Sequence, residues 1–141
     1  MNGSPVVKKI PANKKDRYLL KTGIYVRVSS GKVEQLRSLS AQASALTRYV
    51  YFRENWVLKD MYIEVGSAKP GSSRREFFRL IEDCKDHKIE NVVVKSLSRF
   101  SRDTEEAIES IRTLVKAGVD VYLMDEDKRI DAAYPELELS I

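Results

Sequence analysis

The sequence predicts an α/β fold in three layers, in which helices flank a central, largely parallel sheet of about four to five strands. Short runs of β-branched residues alternate with longer runs of helical periodicity, which is the pattern of a parallel sheet with crossover helices. The run at residues 91–94 is almost entirely valine, as expected of a strand covered on both faces. With 141 residues, 43% of them hydrophobic, the chain is long and apolar enough for one domain with a buried core.

The first half of the chain contains two predicted strands with a long helix between them. Residues 23–28 form a β-rich run, and residues 61–65 form another after a Trp-Val-Leu lead-in. Between them, residues 33–54 have apolar side chains at alternating spacings of three and four, which places these side chains on one helical face. The predicted face consists of Leu36, Leu39, Ala43, Leu46 and Val50.

The second half repeats this alternation with shorter elements. Ser73 and Glu76 have the spacing of a capping box, so a helix is predicted to begin there, with Phe77, Phe78, Leu80, Ile81 and Cys84 on its inner face. After the valine run, a helix is predicted over residues 103–117, with Ala107, Ile111 and Leu114 inward and Gly118 as its C-terminal stop. The last predicted elements are a fourth strand over residues 119–124, an acidic connection and a short helical segment from Glu136.

The basic charge of the chain is concentrated in a predicted flexible leader. The formal net charge is +4, and residues 1–22 carry six basic side chains against one acidic side chain. A basic terminal segment is more often solvated than bound to a partner, so the net charge is weak evidence for nucleic-acid binding. The positions of the arginines in residues 23–141 are more informative than the sum.

Two residue types that carry much enzyme chemistry occur only once each. The single cysteine, Cys84, excludes an intramolecular disulfide and a multi-thiolate zinc site, and it favours a cytoplasmic setting. The single histidine, His87, excludes a multi-histidine metal site, and a Ser-His-Asp triad would depend on this one residue. No apolar run approaches the roughly 18–20 residues of a membrane-spanning helix.

Hydroxyl and guanidinium groups follow three of the predicted strands. Ligands of open parallel sheets bind beyond the carboxyl ends of the strands, so these side chains are expected to meet there. A hydroxyl nucleophile among arginines suits chemistry at a phosphodiester, because guanidinium groups bind the charged oxygens and stay protonated. The residues are Tyr25, Arg27 and Ser29 after the first strand, Ser67, Lys69 and Arg74 after the second, and Arg99 and Arg102 after the third.

Each of these residues also has a purely structural explanation. Ser29 alone is more often a strand end or a helix cap than a nucleophile, and loop arginines such as Arg99 and Arg102 are usually solvated. By itself, the convergence of three arginine-bearing loops on one sheet edge supports an anion site and does not identify the anion.

Four short motifs resemble those of the serine recombinases, the family of resolvases, invertases and large serine integrases. The stretch from Tyr25 to Ser29, Tyr-Val-Arg-Val-Ser, is similar to the opening motif of that family. The other three are Ser38-Leu39 with Gln42, Gly66-Ser67 with Arg74, and the run from Lys95 to Asp103. All four occur in the family's order, and the resemblance extends over residues 23–141.

The resemblance implies the catalytic domain of a site-specific DNA recombinase. Ser29 would attack the scissile phosphodiester and form a 5′-phosphoserine–DNA intermediate, followed by strand exchange and religation without metal, ATP or other cofactor. The implied partners are double-stranded DNA and further copies of the protein, as a dimer and then a synaptic tetramer. The resemblance assigns phosphate binding to Arg27, Arg74, Arg99 and Arg102, and supporting roles to Tyr25, Gln42, Ser67 and Glu64.

Three positions depart from the family's pattern. Ser98 stands where many members have an aspartate, Arg75 where many have a proline, and Glu64 where an aspartate is common. The nucleophile and the four arginines are unaffected, whereas an arginine-orienting role for an acid at position 98 is in doubt.

These motifs also define an expected organisation of the chain. Residues 1–22 would be the leader and residues 23–141 the catalytic domain of a cytoplasmic protein from a bacterium or a phage. We expect the dimerisation helix and the DNA-reading domains of such a recombinase to lie outside these 141 residues. The domain alone is then expected to bind DNA weakly and to have little recombination activity.

Other classes of α/β protein fit the sequence less well. The main alternative is a non-catalytic DNA-binding or regulatory module that retains the fold, which the joint presence of Ser29 and four arginines disfavours. A response regulator would need clustered acids after the first strand, and a nucleotide-binding domain would need a Gly-rich phosphate loop. A phosphatase using Ser29 would lack a hydrolytic base.

Overall fold

The sheet has five strands in the order β2-β1-β3-β4-β5, with helices on both faces. The structure is a computed structural model, and it describes residues 18–28, 31–66 and 74–130. The strands are β1 (Leu20–Val28), β2 (Trp56–Val65), β3 (Asn91–Val94), β4 (Asp120–Leu123) and β5 (Lys128–Ile130). The helices are α1 (Val33–Tyr51), α2 (Arg75–Lys85) and α3 (Thr104–Lys116), with 3-10 turns at Leu97–Arg99 and Met124–Glu126.

The first four strands are parallel, and β1 lies between β2 and β3. This arrangement confirms the predicted three-layer α/β class and brings the carboxyl ends of β1, β2 and β3 to one edge. The fifth strand, β5, runs antiparallel to β4 and agrees with the predicted count of about four to five strands, but its position is not predicted, since the chain between Met124 and Pro135 is expected to form only an acidic connection. Three paired residues are too few to show an alternating pattern, and Asp127, with a left-handed φ of 49°, makes the turn that reverses the chain.

Two hydrophobic layers pack against opposite faces of the sheet. Ile24 and Val26 of β1 point to the layer under α1, together with Leu46 and Val50 of that helix. Tyr25, between them in sequence, points to the opposite layer, which α2 and α3 cover. Because successive strand residues alternate between faces, Arg27 follows Tyr25 onto the side of α2 and α3.

A bulge in β2 redirects its last residues to the side of α2. Thr22 pairs with Leu58 and Gly23 pairs with Asp60, so Lys59 is an extra residue in β2. Leu58 and Met61 therefore both pack on the α1 side although three positions separate them. After the bulge, Tyr62 packs in the layer of α2 and α3. Glu64, two residues further along, shares that face.

Several strands and helices begin or end a few residues away from their predicted boundaries. β1 begins at Leu20 rather than at residue 23, because the Leu20 amide donates to Asn55 O at 2.7 Å and residues 20–22 pair with β2. α1 ends at Tyr51 rather than at residue 54, since the Arg53 amide turns back to Val50 O. α3 occupies the predicted range apart from its caps, and Gly118, with φ +94°, follows its end as predicted.

The predicted helix faces are correct only in part. In α1 Leu46 and Val50 are fully buried, whereas Leu36 is 47% exposed. In α2 the predicted inward Phe78 is 62% exposed, while Phe77 and Leu80 are buried. Periodicity identifies the side of a helix that is apolar, but the neighbouring sheet covers only the part of that side which it reaches.

The junction between α1 and β2 is held by an arginine among aromatic rings. The Arg53 guanidinium lies 4.6 Å from the centroid of the Trp56 ring and 4.9 Å from that of Tyr49. It also pairs with Asp127 at 3.2 Å, at the turn before β5. This cluster joins the end of α1 to the turn before the edge strand β5.

No helix in the described part of the chain combines the length and the apolar character that a bilayer crossing requires. The predicted leader, apart from residues 18–22, and the predicted helical segment from Glu136 lie outside the described residues.

Replacing Leu46 with alanine (Leu46→Ala) is expected to lower the free energy of unfolding by about 2–5 kcal/mol, because truncation of a fully buried leucine leaves a cavity. Leu36→Ala, on the exposed half of the same helix, is the matched control and is expected to cost less than about 1 kcal/mol. Urea denaturation followed by circular dichroism measures both values. Equal losses would contradict the difference in burial between the two halves of α1.

Candidate active site

The loops that follow β1, β2 and β3 meet at one edge of the sheet. The Gly66 amide, just after β2, donates to the carbonyl of Val28, the last residue of β1, at 2.7 Å. The 3-10 turn Leu97–Arg99 follows β3 at the same edge. Ser29 and Ser67, the two hydroxyl residues expected here, lie outside the described residues.

Arg27 joins all three loops. Its side chain is 3% exposed, and its Nε donates to the Arg99 carbonyl at 3.0 Å. Its Nη1 donates to the Gly66 carbonyl at 3.4 Å, and its Nη2 donates to Tyr25 Oη at 3.3 Å. A buried guanidinium is tolerated when its N–H groups have acceptors, so the three acceptors stabilise both the charge and the relative positions of the strand ends.

Arg99 also donates a hydrogen bond back to Arg27. Its Nη1 donates to the Arg27 carbonyl at 3.2 Å, so each of the two side chains is bonded to the other's backbone. Its Nε is buried and has no hydrogen-bond partner within residues 18–28, 31–66 and 74–130. Beside it, the Phe100 ring stacks on Tyr25 with 5.5 Å between centroids, which anchors the turn to β1.

Tyr25 and Glu64 form a buried hydrogen-bonded pair beside Arg27. Tyr25 Oη donates to Glu64 Oε1 at 3.2 Å, and both side chains are buried. Burial raises the pKa of Tyr25 to about 12, although the positive charge of Arg27 acts in the opposite direction. The tyrosine is therefore a neutral donor to the carboxylate at physiological pH.

Glu64 also caps α2 from a different element of the structure. Its carboxylate accepts from the backbone amides of Glu76, at 3.3 Å, and Phe77, at 3.2 Å. The predicted capping box with Ser73 at the N-cap is wrong, because the N-cap residue is Arg74 and it forms no side-chain cap. A buried carboxylate at a helix N-terminus satisfies free amides and complements the helix dipole.

Arg74, at the N-cap of α2, combines burial with unpartnered donors. Its guanidinium lies 4.0 Å from the centroid of the Phe77 ring. Its Nε and Nη2 are buried and have no hydrogen-bond partner in the described part of the chain. Burial lowers the pKa of Arg74, and the nearby Tyr25 and Glu106 act in the opposite direction. The arginine is thus a cation whose donors are suited to an incoming anion.

Two predicted site residues, Arg102 and Gln42, form no contact with Arg27, Arg74 or Arg99 among the contacts of the described residues. Arg102 is exposed just before α3. Gln42 donates to Ser38 Oγ of its own helix at 3.1 Å. Ser98, one of the departures from the family pattern, is exposed and lies 3.1 Å from Ser96 Oγ.

Sequence reasoning missed Ser101 and Glu106. Ser101 is 2% exposed, and its hydroxyl donates to Glu106 Oε1 at 2.6 Å. The signal in the sequence is the spacing of Asp103 and Glu106, which is that of a capping box at the start of α3. Among residues 18–28, 31–66 and 74–130, no group of three or more His, Cys, Asp or Glu side chains could hold a metal ion.

Residues 22–141 match the family model of the resolvase N-terminal domain. The chain belongs to the resolvase family. The match includes Tyr25, Arg27, Glu64, Arg74 and Arg99, and it confirms the resemblance to serine recombinases that the motifs indicate. The chain is therefore the catalytic domain of a site-specific recombinase, an enzyme that cuts and rejoins DNA. Its substrate is DNA.

Solved structures agree with the resolvase assignment. The N-terminal catalytic domain of TP901-1 integrase is 28% identical, with a TM-score of 0.70, over 85% of this chain and 88% of that one. A resolvase family site-specific recombinase from Streptococcus pneumoniae is 27% identical, with a TM-score of 0.69, over 86% of this chain and 81% of that one. No curated protein matches the sequence.

A third structure shares the fold of this resolvase domain. The C-terminal catalytic domain of ISC1926 TnpA, an IS607-like serine recombinase, has a TM-score of 0.63 at 22% identity, over 84% of this chain and 76% of that one. At this identity the comparison concerns the α/β architecture alone.

Replacing Glu64 with alanine (Glu64→Ala) is expected to lower the free energy of unfolding by about 2–4 kcal/mol, because a buried hydroxyl and two helix amides lose their acceptor. Glu82→Ala removes an exposed carboxylate of α2 and is expected to cost less than about 1 kcal/mol. Denaturant unfolding measures the difference. A Glu64→Ala domain as stable as Glu82→Ala would refute the capping role.

The raised pKa of Tyr25 also predicts a dependence of stability on pH. The unfolded tyrosine ionises near pH 10 and the folded one near pH 12, so the unfolded state releases its proton first as pH rises. The free energy of unfolding should then fall between about pH 10 and pH 12, with up to about 1.4 kcal/mol per pH unit from this residue. Tyr25→Phe should make that slope shallower in denaturant titrations, and an unchanged slope would contradict the assignment.

Proposed function

We propose that this resolvase domain cleaves DNA through Ser29 and stabilises the reaction with the arginines of its carboxyl edge. The observation that carries the proposal is the convergence of Arg27 and Arg99 on the end of β1, directly before Ser29 in sequence. Arg74, at the N-cap of α2 and near Tyr25, adds a third guanidinium at this edge. The sequence motif supplies a hydroxyl next to this cationic edge.

The proposed reaction exchanges one phosphodiester for another. Ser29 Oγ attacks the phosphorus and loses its proton to solvent. The bond from phosphorus to the 3′ oxygen breaks, and that oxygen takes a proton and leaves as a 3′-hydroxyl. Rejoining reverses the step: a 3′-hydroxyl attacks the phosphoserine and releases Ser29. The energy of the broken bond is retained in the intermediate, so ATP is not required.

The arginines differ in their proposed roles. Arg74 and Arg99 have buried N–H groups without partners among the described residues, and these donors are suited to the phosphate oxygens. Preorganised cations stabilise the negative charge that grows in the transition state. Arg27 adds positive charge and holds the three loops together. Arg102, exposed at the start of α3, is proposed to reach the phosphate once DNA is bound.

The remaining predicted residues support this reaction centre. Tyr25 and Glu64 position Arg27 and the start of α2 through their hydrogen bonds. Gln42 and Ser67 are proposed to orient Ser29 or the phosphate. We further propose that the catalytic domain, expected over residues 23–141, begins with β1 at Leu20, so that the leader ends before this strand, and that the domain acts in the cytoplasm as a dimer that pairs into a tetramer.

The nucleophile is tested with the recombinase that contains this domain, on DNA carrying its recombination sites and nicked beside the cleavage position to trap the cut state. A covalent adduct is expected at the 5′ end of the cut strand on a denaturing gel. Ser29→Ala should lower the rate of its formation at least about a thousandfold, because the attacking atom is lost.

The adjacent Ser30→Ala is the matched control and should form the adduct at the rate of the unaltered protein. Persistence of the adduct in Ser29→Ala would refute the nucleophile. Specific binding without any adduct in the unaltered protein would favour the non-catalytic module instead.

A further inference from the structure

The start of α3 is closed by a hydroxyl that bridges a backbone amide and a carboxylate. The Asp103 amide donates to Ser101 Oγ at 3.0 Å, and Ser101 Oγ donates to Glu106 Oε1 at 2.6 Å. In an ordinary capping box the glutamate would bond directly to the N-cap amide. Here the buried Ser101 is inserted between them, so the Glu106 carboxylate is held outside the helix in a defined position.

This bridge determines the path of the chain between two arginines of the proposed site. Ser101 lies two residues after Arg99 and directly before Arg102. Phe100, between them, is buried and stacked on Tyr25. Ser101, 2% exposed, cannot shift without breaking these two hydrogen bonds, so the position of Glu106 is transmitted to the segment from Arg99 to Arg102.

Glu106 also faces the third arginine. A groove of about 360 Å³ runs between α2 and α3, and Arg74, Phe77 and Glu106 line it. The negative charge of Glu106 opposes the effect of burial on the Arg74 pKa. With Oε1 engaged by Ser101, the carboxylate compensates the charge of Arg74 while the Nε and Nη2 donors of that arginine keep no partner among the described residues.

A carboxylate beside a phosphate site weakens the attraction between protein and DNA, so electrostatic affinity alone does not explain Glu106. Three guanidinium groups close together repel one another, and each loses hydration on burial. A negative charge held near them lowers both costs without occupying the donors that the phosphate needs.

We propose that Glu106, held by Ser101, is a positioning residue for Arg74 and for the segment from Arg99 to Arg102. The proposal rests on the proposed function in one respect, namely that these arginines bind the scissile phosphate. The positioning itself is a property of the protein without DNA.

The positioning is tested on this chain by ¹⁵N NMR of the arginine Nε–Hε groups. Glu106→Gln removes the charge and keeps an oxygen that accepts from Ser101. In this variant the Arg74 signal, assigned by its loss in Arg74→Lys, should shift and exchange with solvent at least about fivefold faster. Glu105→Gln removes an exposed charge from the same turn of α3 and should leave the signal unchanged. An Arg74 signal that stays in place in Glu106→Gln, or moves equally in Glu105→Gln, overturns the proposal.

A second measurement separates positioning from a simple charge effect. In the adduct assay Glu106→Gln should slow cleavage by roughly ten- to a hundredfold, because misplaced phosphate-binding groups cost that much. The Kd for DNA at constant salt should stay the same or decrease, since a negative charge is removed. Unchanged or faster cleavage overturns the proposal. An adduct that persists in Ser29→Ala refutes the proposed nucleophile but leaves the NMR result standing, so the two failures are distinguishable.

Discussion

The burial of the Arg27 guanidinium is the constraint on which the carboxyl edge of this domain depends. A guanidinium that is 3% exposed is stable only where acceptors surround it, and Arg27 takes these acceptors from the loops after β2 and β3 and from Tyr25. The three strand ends must therefore keep their relative positions. The residue that concentrates positive charge at the edge is also the one that holds the edge together.

Two carboxylates balance this charge, and each belongs to the start of a helix. Glu64 caps α2 from β2, and Glu106 closes the start of α3 through Ser101. Negative charge is favourable at a helix N-terminus, so both carboxylates are stable where they lie close to the arginines. Because their oxygens bond to amides and hydroxyls, the buried donors of Arg74 and Arg99 stay available for an anion.

Much of the fold follows from local pattern. The valine run predicts β3, the apolar spacing in residues 103–117 predicts α3, and Gly118 marks its end, all as the structure has them. The prediction fails where long-range contacts decide the outcome. Leu36 and Phe78 belong to apolar helix faces that the rest of the described chain leaves exposed. β5 forms because its backbone pairs with the free edge of β4. A run of three residues is too short for its sequence pattern to predict this pairing.

The sequence by itself determined the family and the recombinase catalytic domain, and it supplied the residues of the proposed site, because the motifs consist of particular residue types at fixed spacings along the chain. Only the tertiary structure decided how the described residues among them are arranged. The bulge at Lys59 turns Tyr62 and Glu64 toward α2, and the pairing of β1 between β2 and β3 brings Arg27 to Arg99. The roles of Glu64 and Glu106 depend on hydrogen bonds between elements distant in sequence or on a buried turn, and such contacts form only when the elements pack.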